Sequence, residues 1–386
     1  MTSFDHAYDR ARTIVGSYAA QLRSELPADA FLFDVHTHLG HDIDGMNGFY
    51  EELSEALDRY GFSHAFVFCM DEYDREPAFT VPNDRTLAHA ERAAGKLIPF
   101  ARLDLTERPL DEARRCLDLG AKGIKLHPRA QAFALDDDRL PPIFELAVER
   151  SVPILIHGGR GLPPIAEHLA LLVRRFEGVR LIIAHAGIAD MAGLAGRLGG
   201  LPGVYFDTSV WSSVDLFDLY RQVAPEQIVY ASDYPYGRQP NSLLTAIRSA
   251  RAAGFDENQV RGMIGENARR IATGEPPPPL TRPKEMKSLG QPLTFARIHQ
   301  YISMAVPLLW LRQRDAIGAL GLAVNASRER NGYVEEAERI QELLVSAQEL
   351  WRQGGEVVSD DERIEAMRTA IQLINLADLI AITTRA

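Results

Sequence analysis

The sequence has few cysteines, no excess of basic residues and no long apolar run. Only Cys69 and Cys116 occur in 386 residues, so a framework of disulfides is excluded and a reducing compartment is expected. The net charge is −11, whereas proteins that bind nucleic acid or anionic membranes need a basic surface. We therefore expect neither a nucleic-acid partner nor a membrane partner.

We also expect no segment that directs the chain to or across a membrane. Residues 1–26 are charged and amphipathic, and they lack the apolar run and cleavage site of a secretory signal. The most apolar later stretch, residues 305–311, is much shorter than the roughly 20 residues that span a bilayer. With 46% hydrophobic and 25% charged residues, the composition is that of a globular protein. The sequence predicts a soluble, cytoplasmic protein.

Apolar runs alternate with helical patterns along most of the chain. Eight runs lie near residues 32, 65, 97, 123, 153, 180, 204 and 228, and each precedes apolar residues at helical spacing. Eight βα units are the number that closes a parallel barrel. A doubly wound open sheet is the competing layout, but no Gly-rich turn of the dinucleotide-binding kind follows the first run. The sequence therefore predicts an α/β fold with a (β/α)8 TIM-type barrel.

Four segments are predicted. Residues 1–29 contain an N-terminal helix, which we expect to pack on the outside of the barrel, and residues 30–274 form the barrel. Residues 275–292 contain four consecutive prolines and form a Pro-rich linker. Residues 293–386 show helical periodicity only. The barrel is therefore expected to carry a C-terminal all-α extension.

Polar side chains end five of the predicted strands in one register. His36 and His38 close the first strand, and alternation along a strand places both imidazoles on one face. The fourth, fifth, sixth and eighth strands end at Lys125, His157, His185 and Asp233. Any one of these histidines alone would equally suit a hydrogen-bonded core position. Since a parallel barrel brings all these strand ends around one mouth, the repeated pattern predicts a site for a divalent metal.

This arrangement resembles the amidohydrolase superfamily, and within it the branch that includes aminocarboxymuconate-semialdehyde decarboxylase. The likeness covers about residues 30–274, including Ile-Gly-Glu-Asn-Ala-Arg-Arg-Ile at 264–271, which is similar to the family's closing Gly-x-Asn-Ala segment. The resemblance implies a metal-dependent hydrolase. It also implies metal ligands at His36, His38, His157 and Asp233.

The resemblance leaves the number of metal ions open. In members with one ion, the counterpart of His185 orients or deprotonates the water, and in members with two ions it is a ligand. Lys125 stands where two-metal relatives carry a carboxylated lysine, or else it is a plain amine that pairs with Asp233 or with an anionic substrate. Asp233 and His185 are the implied catalytic residues. Zinc is the expected cofactor, as one or two ions, with manganese as the alternative.

Basic side chains after the strands indicate a small, carboxylated substrate. The candidates are His127, Arg129, Arg160 and Arg238, because guanidinium groups bind carboxylates in bidentate fashion, although loop arginines are often only solvated. The predicted reaction is cleavage of an amide, cyclic amide or lactone by metal-activated water. Non-oxidative decarboxylation on the same barrel is the alternative, and a scaffold barrel with an interaction tail is the third. We also expect a homodimer, with the C-terminal helices as a candidate interface.

Overall fold

The computed structural model describes residues 3–210, 212–286, 288–310, 313, 315–329, 332–354 and 359–385. The chain divides into two compact units. One unit contains the sheet and comprises residues 27–211 and 215–285. The other is helical and comprises residues 1–26, 212–214 and 286–386.

The described part of the chain contains one nine-stranded sheet. Its strands are β1 (Leu32–His41), β2 (Asn47–Gly48), β3 (Phe62–Cys69), β4 (Leu97–Arg102), β5 (Gly123–Leu126), β6 (Ile154–Ile156), β7 (Leu181–Ile183), β8 (Val204–Asp207) and β9 (Ile228–Val229). The strand order is β2-β1-β3-β4-β5-β6-β7-β8-β9. Every pair from β1 and β3 to β9 is parallel, and β2 alone pairs antiparallel, as a short hairpin partner of β1.

The chain after β9 closes the sheet onto its first strand. The Val35 amide donates to the Tyr230 carbonyl at 3.1 Å, and the His38 amide donates to the Tyr234 carbonyl at 2.7 Å. Thr37 and Tyr234 form a parallel bridge. Eight parallel strands therefore form a closed barrel, and the fold predicted from the eight apolar runs is confirmed.

Large apolar side chains fill the inside of the barrel. The central cluster consists of Phe33, Val35, Phe66, Phe68, Phe100, Leu155, Ile182, Ala184, Tyr205, Val229, Ala231, Ala268 and Ile271. Side chains on one strand return to the same face every two residues. The residues two positions after Phe100, Leu155 and Tyr205 therefore point into the mouth of the barrel, one layer above this cluster.

Helices follow the parallel strands. The helices of the first 274 residues are α1 (Ser3–Glu25), α2 (Tyr50–Tyr60), α3 (Thr80–Arg92), α4 (Pro109–Asp118), α5 (Leu140–Glu149), α6 (Ala166–Arg175), α7 (Met191–Leu198), α8 (Ser213–Gln222), α9 (Asn241–Ala252), α10 (Glu257–Arg261) and α11 (Asn267–Thr273). One π-helical turn, Gly262–Glu266, joins α10 to α11. The Met263 carbonyl accepts from the Tyr230 amide at 2.8 Å, so this turn is tied to the chain that leaves β9.

The helical unit contains α1 and four later helices. The later ones are α12 (Leu293–Trp310), α13 (Asp315–Ser327), α14 (Val334–Gly354) and α15 (Asp360–Thr383). We expected α1 to pack on the barrel, but it packs against α14 and α15. Its Tyr8 hydroxyl donates to Glu365 at 3.2 Å.

Among the described residues, only α15 contains a stretch that is long and apolar enough to cross a bilayer. This stretch comprises residues 362–383, and 78% of its most apolar part is buried inside the protein. A central helix of a bundle has this composition because it is covered on most sides by other helices. In the helical unit α15 packs against α1, α12 and α14.

Candidate metal centre

Three side chains, from the first and the last parallel strand of the barrel, converge at its mouth. His36 and His38 lie on β1, and their Nε2 atoms are 3.1 Å apart. Asp233 follows β9, and its Oδ1 is 3.3 Å from each of these nitrogens. The three side chains offer ligand atoms that all lie within 4.8 Å of one another. They form the group that sequence analysis places at the ends of the first and eighth parallel strands.

Asp207 fixes the orientation of His36. Its Oδ2 is 2.7 Å from His36 Nδ1, and a carboxylate only accepts hydrogen bonds, so Nδ1 carries the proton. The lone pair of His36 is therefore on Nε2, which faces His38 and Asp233. A carboxylate behind a histidine is the usual support of a metal ligand.

A second pair of histidines lies beside this group. His185 Nε2 is 3.1 Å from His157 Nδ1, and the His185 ring lies 5.1 Å from the His36 ring, centre to centre. His185 Nδ1 lies 2.8 Å from the Ser209 carbonyl oxygen, so it donates its proton there. His157 Nε2 is buried and has no hydrogen-bond partner. His157 Nδ1 then donates to His185 Nε2, and the lone pair on His157 Nε2 is left for a ligand in the mouth.

Lys125 completes the cluster from β5. Its side chain is fully buried, and Nζ is 3.4 Å from His36 Nε2. Burial lowers the pKa of Lys125 to about 7, with the charge of Arg102 acting in the same direction and Asp233 and Asp207 opposing it. A large fraction of neutral amine is thus present at neutral pH.

Burial controls the protonation of the other members. It lowers the pKa of His36, His38 and His157 well below the ordinary value, so these rings are neutral at pH 7, as metal ligation requires. Burial also raises the pKa of Asp233 well above its ordinary value, while the Lys125 charge opposes this.

Two of the polar residues have unusual backbone conformations. His185 has φ 57° and Asp233 has φ 59°, in the left-handed region that costs non-glycine residues about 1 kcal/mol or more. The Asp233 amide donates to the His36 carbonyl at 3.0 Å. The His185 amide donates to Asp207 Oδ1 at 2.7 Å. These bonds hold both side chains at the mouth despite the backbone strain.

The predicted substrate-binding residues lie in different surroundings. The His127 ring stacks on His157 with centroids 3.9 Å apart. Arg129 and Arg160 are exposed. Arg238 Nη2 pairs with Glu52 Oε1 at 2.5 Å, so its charge is already neutralised by a residue of α2.

Sequence reasoning missed two buried residues of the mouth, Asp207 and Arg102. Asp207 ends β8 and Arg102 ends β4, and both stand two positions after core residues, Tyr205 and Phe100. The signal that identified the other strand ends, a polar residue directly after an apolar run, is present at both positions. Neither residue is followed by the glycine or proline that comes directly after His127 and His157.

Comparison with known proteins identifies relatives of the barrel. A family model described as Amidohydrolase matches residues 33–271. IDCase from Metarhizium anisopliae in its apo form is 17% identical, with a TM-score of 0.50, and the match covers 64% of this chain and 98% of that chain. No curated protein matches the sequence.

Two further solved structures are similar. For 4-oxalomesaconate hydratase, LigJ, from Rhodopseudomonas palustris the identity is 17% and the TM-score 0.49, with 63% of this chain and 96% of that chain covered. For a probable 2-pyrone-4,6-dicarboxylic acid hydrolase from Acinetobacter baumannii the identity is 14% and the TM-score 0.47, with 63% and 99% covered. At 17% identity and a TM-score of 0.50, the match to IDCase indicates a common fold only.

Proposed function

Because the chain belongs to the amidohydrolase family, whose model spans residues 33–271, we propose that it is a metal-dependent hydrolase. The substrate is a small carboxylated molecule, and the bond cleaved is an amide, a cyclic amide or a lactone. The observation that carries the proposal is the convergence of His36, His38 and Asp233 within 4.8 Å. The neutral imidazoles and the carboxylate direct acceptor atoms at one another in a buried cluster. A divalent cation would stabilise such a group of acceptors.

The structure groups the donor atoms of His36, His38 and Asp233. By the family resemblance, these residues and His157 would hold one ion, and His185 with a carboxylated Lys125 would extend the set to two. Nitrogen and oxygen donors of this kind suit zinc, with manganese as the alternative. When bound, such an ion polarises a carbonyl group and lowers the pKa of water from about 16 to about 7.

The protein's own groups supply the proton transfers. Asp233 is a buried carboxyl with a raised pKa, which suits a group that takes a proton from water and gives it to the leaving nitrogen or oxygen. His185 donates through Nδ1 to Ser209, so its unprotonated nitrogen is Nε2, which lies 3.1 Å from His157 Nδ1 and can accept a proton. The apolar layer below, from Phe68 to Tyr205, excludes water from the floor of the site.

Decarboxylation is a second candidate, favoured by the same raised pKa of Asp233. Burial favours the protonated form of this carboxyl, which can deliver a proton to carbon. The bond from that carbon to the carboxylate would break, CO₂ would leave, and the electron pair left on carbon would take the proton. This reaction consumes no water, so CO₂ release without a hydrolysis product would distinguish it.

The first experiment is to measure metal content per chain, on protein purified without chelator, together with intact mass under mild conditions. Two ions and a CO₂ adduct that disappears in Lys125→Ala would support a bridged pair of ions. One ion and no adduct would support a mononuclear site with His185 as the base. If no metal binds even after supplementation, both enzyme proposals fail and a scaffold role replaces them.

The second experiment measures turnover of carboxylated lactones, lactams and hydantoin-like rings by the zinc-loaded protein. We expect Asp233→Asn to lower kcat by about 10²-fold or more, because a positioned acid–base group contributes about 10² to 10⁴ in rate. Asp218→Asn on the surface of α8 is the matched control and should retain turnover. Equal activity of Asp233→Asn and the unmodified protein would contradict the assigned role.

A further inference from the structure

Arg102 is a buried cation at the end of β4. Its side chain is 2% exposed, and it pairs in register with Lys125 on the neighbouring strand β5. Because Phe100, two positions earlier, lies in the inner core, the Arg102 side chain points to the same inner side of the barrel. It therefore lies in the wall of the mouth, next to Lys125.

The guanidinium of Arg102 has neutral partners. Nη1 donates to the Cys69 carbonyl at 3.1 Å, and the Phe79 ring lies 4.9 Å from Cζ. Nη2 is 2.8 Å from the Gln131 side chain when that amide is oriented with its oxygen toward Arg102. Nε is buried without a hydrogen-bond partner.

A counter-ion for Arg102 is missing among the described residues, since none places a carboxylate within 4.0 Å of it. Asp71 senses the charge of Arg102, but its Oδ1 pairs with Arg75 Nε at 3.2 Å. A buried charge is costly unless it is paired. The position therefore has one free donor at Nε and a buried positive charge with no carboxylate within 4.0 Å, at the edge of the candidate metal centre.

Resting on the proposed function, we propose that Arg102 binds a carboxylate of the substrate. The shape of its fork suits a carboxylate, and the buried Nε provides a donor that nothing in the described chain satisfies. Exposed Arg129 and Arg160 and the neutralised Arg238 lack this combination.

The position of Arg102 also restricts the substrate. Lys125 pairs in register with Arg102, and its Nζ is 3.4 Å from His36 Nε2. The charge of Arg102 acts on both His38 and Lys125. A carboxylate on Arg102 would therefore lie beside the candidate metal centre. The substrate is an organic acid whose carboxylate stands close to the bond that reacts, as in a ring that carries the acid next to the reacting amide or ester.

The test measures binding of benzoate, succinate and the neutral analogue benzamide to zinc-loaded protein by calorimetry. We expect the unmodified protein to prefer the carboxylates to benzamide. Arg102→Gln should weaken carboxylate binding by about 10- to 100-fold, the range for loss of a hydrogen bond to a charged group. Arg102→Lys should be intermediate, because it keeps the charge and loses the fork. Arg175→Gln, on the exposed surface of α6, is the matched control and should bind like the unmodified protein.

Three outcomes overturn the inference. The first is carboxylate binding by Arg102→Gln that equals the unmodified protein, which would assign the carboxylate to the metal. The second is equal binding of benzoate and benzamide by the unmodified protein, and the third is no binding of either carboxylate. Arg102→Lys keeps the test informative if Arg102→Gln does not fold. Zinc content measured on the same samples separates the proposals: zinc without carboxylate preference refutes this inference only, and absence of zinc refutes the proposed function.

Discussion

Asp207 connects two parts of the candidate metal centre. Its Oδ2 accepts from His36 Nδ1 at 2.7 Å, and its Oδ1 accepts from the His185 amide at 2.7 Å and from the Ser209 hydroxyl at 2.6 Å. We predict that Asp207→Asn lowers zinc affinity by about 10- to 100-fold, as is usual for loss of a carboxylate behind a histidine ligand. Competition with a chromophoric chelator would measure this affinity.

Asp218→Asn is the control for that substitution, because Asp218 is a partly exposed residue of α8 that pairs with Arg221. It should bind zinc like the unmodified protein. Unchanged zinc affinity in a folded Asp207→Asn variant would show that Asp207 does not support the ligands.

The sequence predicted the positions of the histidines and of Asp233 at the mouth, but it did not predict which groups pair with the charged residues there. His36 and His38 could be found because alternation along one strand determines which side chains share a face. Pairing is decided by tertiary contacts, and two cases show this. Arg238 is neutralised by Glu52, which is 186 positions away in the sequence, whereas Arg102 meets only neutral groups. The metal-binding and catalytic roles themselves remain predictions.

The π-helical turn before α11 approaches the start of β1 very closely. A Cβ atom added at Gly265 would lie 1.7 Å from the Phe31 carbonyl oxygen, whereas one added at Gly196 in α7 would meet no atom within 4 Å. We predict that Gly265→Ala lowers the free energy of unfolding by about 2 kcal/mol or more, because the backbone must move. Gly196→Ala should raise it by about 0.5 to 1 kcal/mol, since alanine favours helices.

Urea denaturation of the two glycine variants would measure both changes. They form a matched pair, because each adds one methyl group to a helical turn of the barrel unit. Equal stabilities would show that the π-helical turn has room beside Phe31.

His64 on β3 makes the barrel sensitive to acid. Its ring lies 5.5 Å from the Phe33 ring and 5.7 Å from the Phe31 ring, and burial lowers its pKa, with Lys96 acting in the same direction. As the pH falls through the ordinary histidine value, the unfolded chain takes up a proton before the folded one does. Stability is therefore present above about pH 6.5 and is lost below it.

We predict that His64→Leu reduces the loss of unfolding free energy between pH 7 and pH 5. Denaturation curves at the two pH values, for the variant and the unmodified protein, would measure the difference. Other buried histidines contribute in the same direction. The comparison therefore concerns how much the substitution changes the dependence of unfolding free energy on pH. An identical slope in both proteins would contradict the assignment to His64.

At the scale of elements, the sequence predicted the parallel strands and most helices because their apolar periodicity is long and regular. It did not predict β2, since two residues are too few to show a period, nor the π-helical turn, whose conformation depends on contact with Phe31. The partners of α1 were also not predicted. Its buried face, which includes Ala7, Ala11 and Leu22, shows that it packs on something but does not identify α14 and α15.

For the whole molecule we predict a homodimer. The helical unit exposes several large apolar side chains, with exposed fractions of 80% at Leu293, 52% at Met304 and 47% at Leu322. Exposed apolar surface of this kind is typical of interfaces. Light scattering should give about twice the chain mass of 42.9 kDa, and Met304→Glu or Leu322→Glu should shift it toward one chain. A single-chain mass for the unmodified protein would contradict the prediction.

The helical unit is built from sequence segments before and after the barrel residues. A ribosome therefore synthesises α1 before the barrel, and its packing partners α14 and α15 after it. At about 5 to 20 residues per second, the interval between α1 and α14 is roughly 15 to 60 s. During that time the complete barrel sequence emerges and can close, while α1 has no partner helix and remains accessible to chaperones and proteases. Synthesis of α14 and α15 thus completes the helical unit, and termination before α14 leaves α1 without these partners.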